Sequence, residues 1–134
     1  LLASRPLTGL LPASPSEEQA IRKVITDAYI GRLSADRDVE AVSDGFQPDF
    51  VLHLLNAGQV IHAPLEMWLD RLGLDGTPGE TTVEGEFVSI DVTGNEANVK
   101  LEVREDGVHI YTDYFGLYKV DGDWKIVNKL FHPH

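Results

Sequence analysis

The hydrophobic pattern of the chain changes period near Thr81, and this change constrains the fold more than any other feature. In "ANVKLEV" (97–103) every second residue is apolar, which is typical of a strand with one buried face and one face in water. Turn signals separate this segment from similar ones on either side: Thr93-Gly94-Asn95, Asp106-Gly107 and Asp121-Gly122. The second part of the chain therefore predicts four long strands in an antiparallel meander.

The part before Thr81 carries helical signals. Ser14-Pro15-Ser16-Glu17 is typical of a capping box with proline at the first helical position. Apolar residues then recur at helical spacing and predict one buried helix face: Ile21, Val24, Ile25, Ala28 and Tyr29. This first helix, followed by the meander, indicates an α+β fold.

Shorter elements are predicted between the first helix and the meander. One helix runs from Asp36 or Asp38 to near Gly45, and another opens at Pro64. The segments "FVLHLL" and "QVIH" flank Asn56-Ala57-Gly58 and predict two short strands joined by a tight turn.

Length and charge bound the class of protein. The chain has 134 residues, which suits one domain, and we expect a domain at 15–134 preceded by an N-terminal arm at 1–14. A net charge of −11 disfavours nucleic acid and anionic membrane surfaces as partners. No apolar run approaches the roughly 18 residues that span a bilayer, so no membrane role is expected. We expect a cytoplasmic protein, with a trimmed secretory signal as the alternative.

The order of these elements resembles the nuclear-transport-factor-two-like superfamily, also called the cystatin-like cone. A short helix ending in "GFQPDF", a small hairpin and a meander closing on "DGDWKIVNKLFH" carry the resemblance, which extends from about Glu17 to His132. Within it, "VSIDVTGNEANVKLEV" followed by "YTDYFGLYKVDGDWKIVNKLFH" is similar to the putative lumazine-binding subgroup.

This resemblance implies a strongly curved antiparallel sheet wrapped around a long N-terminal helix, with two shorter helices and a cone-shaped cavity. It also implies a homodimer formed through the outer sheet face. The superfamily contains ketosteroid isomerases, scytalone dehydratases, polyketide cyclases and non-enzymatic binding modules. The function therefore depends on the polar residues that face the cone.

Which residues face the cone depends on the register of the last hairpin. A two-residue Asp121-Gly122 loop pairs Phe115 with Asn128, Asp113 with Leu130 and Tyr111 with His132. A three-residue loop with a glycine bulge shifts the pairing by one and sets Asp113 opposite Lys129 on the outer face. The first register is favoured because it collects the aliphatic residues on one face. Lys125 and Lys129 are then expected to face water.

Three residues are candidates for catalysis. Asp113 could act as a general base or acid, because apolar surroundings raise the pKa of a carboxyl group; the alternative is a structural hydrogen-bonding role. Tyr29 could donate a proton from the first helix or simply pack in the core. His132 could relay a proton, or be an exposed histidine beside Pro133 and His134.

Further residues are candidates for contact with a ligand, by their position on the expected inner face or at its mouth: His53, Trp68, Tyr111, Phe115 and Asn128. His53 points away from Leu52 and Leu54, either into the cone or to its rim. Asn128 could offer a ligand both a donor and an acceptor.

The other motifs are negative. The chain lacks a G-x-G-x-x-G, a P-loop and a G-x-S-x-G motif, and its five histidines lack helical metal-ligand spacing, so we expect no cofactor and no metal. Two functions remain open. The first is a module that binds a small, mostly apolar or aromatic molecule. The alternative is a cofactor-independent acid–base enzyme of isomerase, dehydratase or cyclase type.

Overall fold

The structure is a computed structural model that describes residues 15–31, 44–67 and 82–134. Most of the second predicted helix falls outside these ranges, as does the arm at 1–14. The third predicted helix is seen only as a helical turn at 65–67, and Trp68 also lies outside the described residues.

Helix α1 comprises Pro15–Ile25 and continues into a π-helical segment, Thr26–Ile30. Proline at the first position and acidic residues in the first turn favour this start, as the capping pattern predicts. The π-helical segment ends where the backbone N–H of Gly31 donates to the carbonyl of Thr26. Among the described helices, none is long and apolar enough to cross a bilayer.

Six strands follow and form one sheet: β1 (Phe46–Asn56), β2 (Gln59–Pro64), β3 (Val83–Thr93), β4 (Glu96–Glu105), β5 (Val108–Val120) and β6 (Asp123–Pro133). Their order is β2-β1-β6-β5-β4-β3. Strands β3 to β6 form the predicted antiparallel meander, and the β1–β2 hairpin joins it through a parallel pairing of β1 with β6. The sheet is therefore mixed, which corrects the expectation of an antiparallel sheet.

The predicted turns are confirmed. Asp121 and Gly122 have φ values of 51° and 87°, and the two residues between β4 and β5, Asp106 and Gly107, have values of 49° and 83°. Two successive positive φ values define the hairpin turn whose twist matches that of the flanking strands, and Asp-Gly adopts it readily.

One face of the sheet, here called the inner face, packs against α1. The core includes Ile21, Ile25 and Ala28 of the helical part and alternate residues of β4, β5 and β6. Two glycines allow the close approach: a Cβ at Gly45 would lie 2.3 Å from that of Ala28, and one at Gly85 would lie 3.0 Å from Ile30. Helix and sheet therefore bury their apolar surfaces against each other, and the opposite, outer face carries the polar strand positions.

The register of the last hairpin follows neither predicted alternative along its whole length. The two-residue loop is confirmed, with Lys119 opposite Trp124 and Leu117 opposite Ile126. Beyond this point Val127 is an extra residue in β6, and the pairing shifts.

After this bulge Phe115 pairs with Lys129, Asp113 with Phe131 and Tyr111 with Pro133. The three predicted partners, Asn128, Leu130 and His132, are therefore wrong by one residue. An extra residue in one strand reverses which of the following side chains face inward. Lys129 consequently faces the core and not water.

Candidate functional site

Asp113 lies in the middle of β5 on the inner face and has 0% of its surface exposed. It is thus placed on the predicted face, although its cross-strand partner differs. Neither of its carboxylate oxygens accepts a hydrogen bond from the part of the chain that the structure describes. Buried carboxylates are almost always bonded, so this one stands out as a candidate functional group.

Among the described residues, Lys129 is the charged partner of this carboxylate. Its Nζ lies 3.7 Å from Asp113 Oδ1, and the residue is 4% exposed. Asp113 pairs with Phe131, so Lys129 is its diagonal neighbour on the same sheet face, a separation that a long side chain can reach. The bulge at Val127 creates this contact by turning Lys129 inward.

Tyr29 completes the trio from the helix side. The Lys129 ammonium donates a hydrogen bond of 2.7 Å to the Tyr29 hydroxyl, and its Nζ also lies 4.1 Å from the centre of the Tyr29 ring. Tyr29 belongs to the π-helical segment, a type of irregularity that is frequent at functional sites. We call Asp113, Lys129 and Tyr29 the inner trio.

Burial raises the pKa of the Asp113 carboxyl above its ordinary value. The positive charge of Lys129 is the main influence that opposes this rise, because it favours the ionised carboxylate, whereas the negative charge of Glu102 adds to the rise. A carboxyl group whose pKa is raised toward neutrality is suited to accept and return a proton. The adjacent ammonium makes the inner trio a poor site for a metal cation.

Aromatic rings surround the trio. Phe115 packs edge-on against Tyr29 with 5.0 Å between ring centres, and Tyr111 packs edge-on against Phe131 at 5.4 Å. The Lys129 Nζ lies 4.9 Å from the Phe131 ring and 5.8 Å from the Tyr111 ring. The predicted ligand-binding residues Tyr111 and Phe115 therefore stand beside the charged groups, in surroundings that suit an apolar or aromatic ligand.

Asn128 lies on the outer face, which corrects the prediction that it faces the cavity. Its Oδ1 accepts a hydrogen bond of 3.0 Å from the backbone N–H of Gly116. The bulge places the two residues opposite each other, and a Cβ at Gly116 would lie only 2.6 Å from that oxygen. Asn128 thus has a structural role at the bulge, where it satisfies a backbone donor.

The two histidine candidates also lie away from the inner trio. His53 pairs with His62 and Leu130 on the outer face, with 4.8 Å between the imidazole ring centres. Its strand neighbour Leu52 is the residue that faces the core. His132 is exposed and pairs with Thr112, whose side chain points outward. The structure therefore brings together Asp113 and Tyr29 but not His132.

Lys129 is the residue that the sequence interpretation missed. If "VNKLF" (127–131) is read as a regular strand that continues from Ile126, successive side chains alternate between the faces and Lys129 points to water. One signal in the sequence could have indicated the bulge. In a regular strand Trp124 and Ile126 point to one face and Phe131 points to the other, although all three are large and apolar. All three are buried or half-buried, and a regular strand cannot turn all three inward.

Solved structures share this fold. An NTF2-like protein of unknown function from Shewanella baltica superposes with a TM-score of 0.75 at 21% identity, covering 92% of this chain and 98% of that one. Another from Methylobacillus flagellatus gives a TM-score of 0.73 at 25% identity, covering 91% and 95%. A protein with a cystatin-like fold from Nostoc punctiforme gives 0.68 at 14%, covering 92% and 96%. The resemblance to the nuclear-transport-factor-two-like superfamily is confirmed.

Sequence comparisons narrow the relationship. The chain is 32% identical over 92 residues to "Aldolase FrzH" of a Cladobotryum species, a match that covers 68% of this chain and 72% of that protein. The profile of the family described as "Putative lumazine-binding" matches residues 16–132. This match includes all three residues of the inner trio. The chain belongs to this "Putative lumazine-binding" family of the NTF2-like fold.

Proposed function

We propose that the protein binds a small organic molecule in a cone-shaped cavity on the inner face, between the sheet and α1. A polar group of the ligand donates a hydrogen bond to Asp113, and the apolar remainder packs against Tyr111 and Phe115. The observation that carries this proposal is the Asp113 carboxylate, which is completely buried and accepts no hydrogen bond from the described residues.

The energetics favour a ligand with a donor. A buried polar group without a partner costs about 1–3 kcal/mol, and more when it is charged. A hydroxyl, amide or ring N–H that bonds to Asp113 recovers much of this cost. Ligand-binding clefts in proteins generally combine mostly apolar walls with few polar groups that fix the orientation of the ligand. A flat heterocycle with ring N–H groups has the required chemistry, and the description of the family agrees with it.

A thermal-shift titration tests the binding. The panel contains flat aromatic heterocycles, pteridine-type compounds and steroid-like compounds, and each is added to the wild type, to Asp113→Asn and to Asp91→Asn. Asp91 is an exposed aspartate on β3 and serves as the matched control. We expect a compound that raises the melting temperature of the wild type and of Asp91→Asn but shifts that of Asp113→Asn much less. Equal shifts in all three proteins would contradict the role of Asp113.

A second function, acid–base catalysis next to a carbonyl group, is supported by a separate observation. The Asp113 carboxyl has a raised pKa and stands 3.7 Å from the Lys129 ammonium, which itself bonds to a tyrosine hydroxyl. In this proposal Asp113 removes a proton from the carbon next to a carbonyl. Lys129 and Tyr29 donate hydrogen bonds to the developing enolate oxygen. Isomerases and aldolases share this first step, and the similarity to "Aldolase FrzH" favours it.

Proton exchange distinguishes catalysis from binding alone. A panel of small ketones and aldehydes is incubated with the protein in deuterium oxide, and the exchange of the protons next to the carbonyl is followed by proton NMR. We expect exchange that is lost in Asp113→Asn and reduced in Lys129→Met, while Asp91→Asn keeps the wild-type rate. Ligand binding without exchange would leave the binding proposal standing and exclude this second function.

The outer face supports the expected homodimer. Tyr114, Tyr118 and Leu130 project from it and are 49%, 53% and 51% exposed. The bulge turns Leu130 to this face and Phe131 to the inner one. We propose that this patch contacts a second copy of the chain. Sedimentation of the wild type and of Tyr118→Glu tests this, with a dimer expected only for the wild type.

A further inference from the structure

A second group of chemistry-bearing side chains lies on the outer face, at the end of the β4–β5 hairpin. Glu102 pairs with Thr112, and Thr112 pairs with His132, so these residues form one row across three strands. The next row begins with Arg104, which pairs with His109 after a register shift in β5. This shift turns His109 to the same face as Glu102 and Thr112.

His134 joins the group from the end of β6. Its backbone N–H donates to the carbonyl of Ile110 at 2.8 Å, so the chain continues in register with β5. The imidazole rings of His134 and His109 stack with 4.0 Å between their centres, at 30° to each other. Both rings are therefore held by their strands and by each other, next to Glu102.

The atoms that can bind a metal converge on one point. One imidazole nitrogen from each of His109 and His134 and one carboxylate oxygen of Glu102 all lie within 4.8 Å of one another. Bonds of about 2 Å to a shared tetrahedral ion require ligand atoms about 3.3 Å apart, so modest side-chain rotation suffices. His109 Nε2 already contacts Glu102 Oε2 directly.

Thr112 orients the carboxylate. Its hydroxyl donates to Glu102 Oε2 at 2.6 Å and also lies 2.8 Å from His134 Nε2. Metal ligands are commonly fixed by a neighbouring hydrogen-bonding group of this kind, which reduces the reorganisation needed when the ion arrives. The cluster is partly open to water, with the side chains of His109 and Glu102 exposed by 35% and 16%, so an ion can reach it.

From this arrangement we propose that Glu102, His109 and His134 form a binding site for a divalent first-row transition metal, Zn²⁺ in the first place. Two imidazoles and one carboxylate are a donor set that suits zinc and leaves a fourth position for water or a substrate group. Mg²⁺ and Ca²⁺ prefer oxygen ligands and are not expected to bind. The proposal differs from the sequence expectation of no metal, which considered helical spacing only; here the ligands come from β4, from β5 and from the residue that follows β6.

Isothermal titration of the tag-free protein with ZnCl₂ tests the site. We expect one Zn²⁺ per chain in the wild type, and affinities reduced by about tenfold or more in His109→Ala, His134→Ala and Glu102→Gln, because each lacks one ligand. MgCl₂ should give no binding. His62→Ala is the matched control, since His62 lies beside His53 on the same face without a carboxylate contact among the described residues, and it should keep the wild-type affinity.

Two results would overturn the proposal: a wild type that does not bind Zn²⁺, or His109→Ala and His134→Ala variants that bind it as tightly as the wild type. Folding does not confuse the outcome, because the exposed His134 side chain can be removed without touching the core. Proton NMR gives a second readout. Zn²⁺ should shift the imidazole signals of His109 and His134 but not those of His53 and His62.

Discussion

Thr112 and Asp113 are consecutive residues of β5 that point to opposite faces of the sheet. The carboxylate beside Thr112, that of Glu102, and the carboxylate of Asp113 have pKa values shifted in opposite directions. On the outer face Thr112 donates a hydrogen bond to Glu102, and this bond is the main reason that the pKa of the Glu102 carboxyl lies below its ordinary value. On the inner face Asp113 accepts no hydrogen bond from the described residues, and burial raises its pKa. The comparison shows that the face, and not the residue type, sets the chemistry of each carboxylate.

The comparison also separates two ways of placing a cation near a carboxylate. Lys129 and Asp113 are both buried, so the attraction between them must offset the loss of water around two charges. Such pairs are seldom the most stable arrangement, which favours a functional reason for this one. Glu102, His109 and His134 on the outer face keep their contact with water, so this loss of hydration does not apply to them.

Replacing Lys129 alone should have the largest effect. Lys129→Met leaves the Asp113 carboxyl buried without its counter-charge, and breaking a buried pair costs about 3–5 kcal/mol of unfolding free energy. Lys100→Met, on the outer face, should cost far less. Urea unfolding followed by circular dichroism measures both variants.

The double variant Asp113→Leu, Lys129→Met sharpens this test. Removing both charges together should restore stability to the wild-type level or above it, while ligand binding is lost. If the double variant is as unstable as Lys129→Met, the two side chains stabilise the fold through more than the cancellation of each other's charge. The argument that the buried pair is kept for function and not for stability would then fail.

The bulge that assigns Lys129 to the inner face should depend on Asn128. Asn128→Ala removes the acceptor for the Gly116 N–H, so we expect a loss of about 1–2 kcal/mol. Asn98→Ala is the matched control, because the exposed Asn98 pairs with the same glycine from β4. Urea unfolding measures the difference between the two variants. A cost as small as that of Asn98→Ala would mean that the bulge forms without this side chain.

The pH dependence of stability should carry the sign of a raised carboxyl pKa. Between the ordinary value of about 4 and the raised value, the folded protein holds a proton that the unfolded chain has lost. Stability from Asp113 is therefore fully present below about pH 4 and falls as pH rises through the folded pKa. Melting temperatures of the wild type, minus those of Asp113→Asn, should decline across this range. A flat difference would contradict the raised pKa.

Much of the fold follows from the sequence, whereas the site follows only in part. The Asp-Gly turns and the alternation of β4 are local signals, so the meander and the inward direction of Asp113 could be predicted. The position of Lys129 depends on a single extra residue in β6. This bulge is stabilised by contacts between distant parts of the sequence, namely the packing of Phe131 on the inner face and the hydrogen bond between Asn128 and Gly116. The proposed metal site on the outer face could not be predicted for a similar reason, since Glu102, His109 and His134 come together only when neighbouring strands pair.

The smallest effect is expected at Glu17, where a carboxylate and a lysine meet in contact with water. Glu17 accepts hydrogen bonds of 2.9 Å from Lys119 and 3.0 Å from the Trp124 indole, and the side chains of Glu17 and Lys119 are each 30% exposed. Glu17→Gln should therefore cost only about 0.2–1 kcal/mol, and the cost should shrink in high salt. Glu18→Gln is the neighbouring control, and thermal unfolding at two salt concentrations measures both.

The pH dependence of this pair should be opposite to that of Asp113. The bond from Lys119 lowers the pKa of the Glu17 carboxyl, so its stabilisation is present above the ordinary value of about 4.3 and is lost as pH falls through the lowered pKa. The stability difference between wild type and Glu17→Gln should thus grow with pH below about 4.3, whereas that between wild type and Asp113→Asn declines above about 4. Two carboxylates paired with lysines in one molecule would then differ in sign because one is buried and the other remains in water. If both differences changed with pH in the same direction, burial would not be the property that separates them.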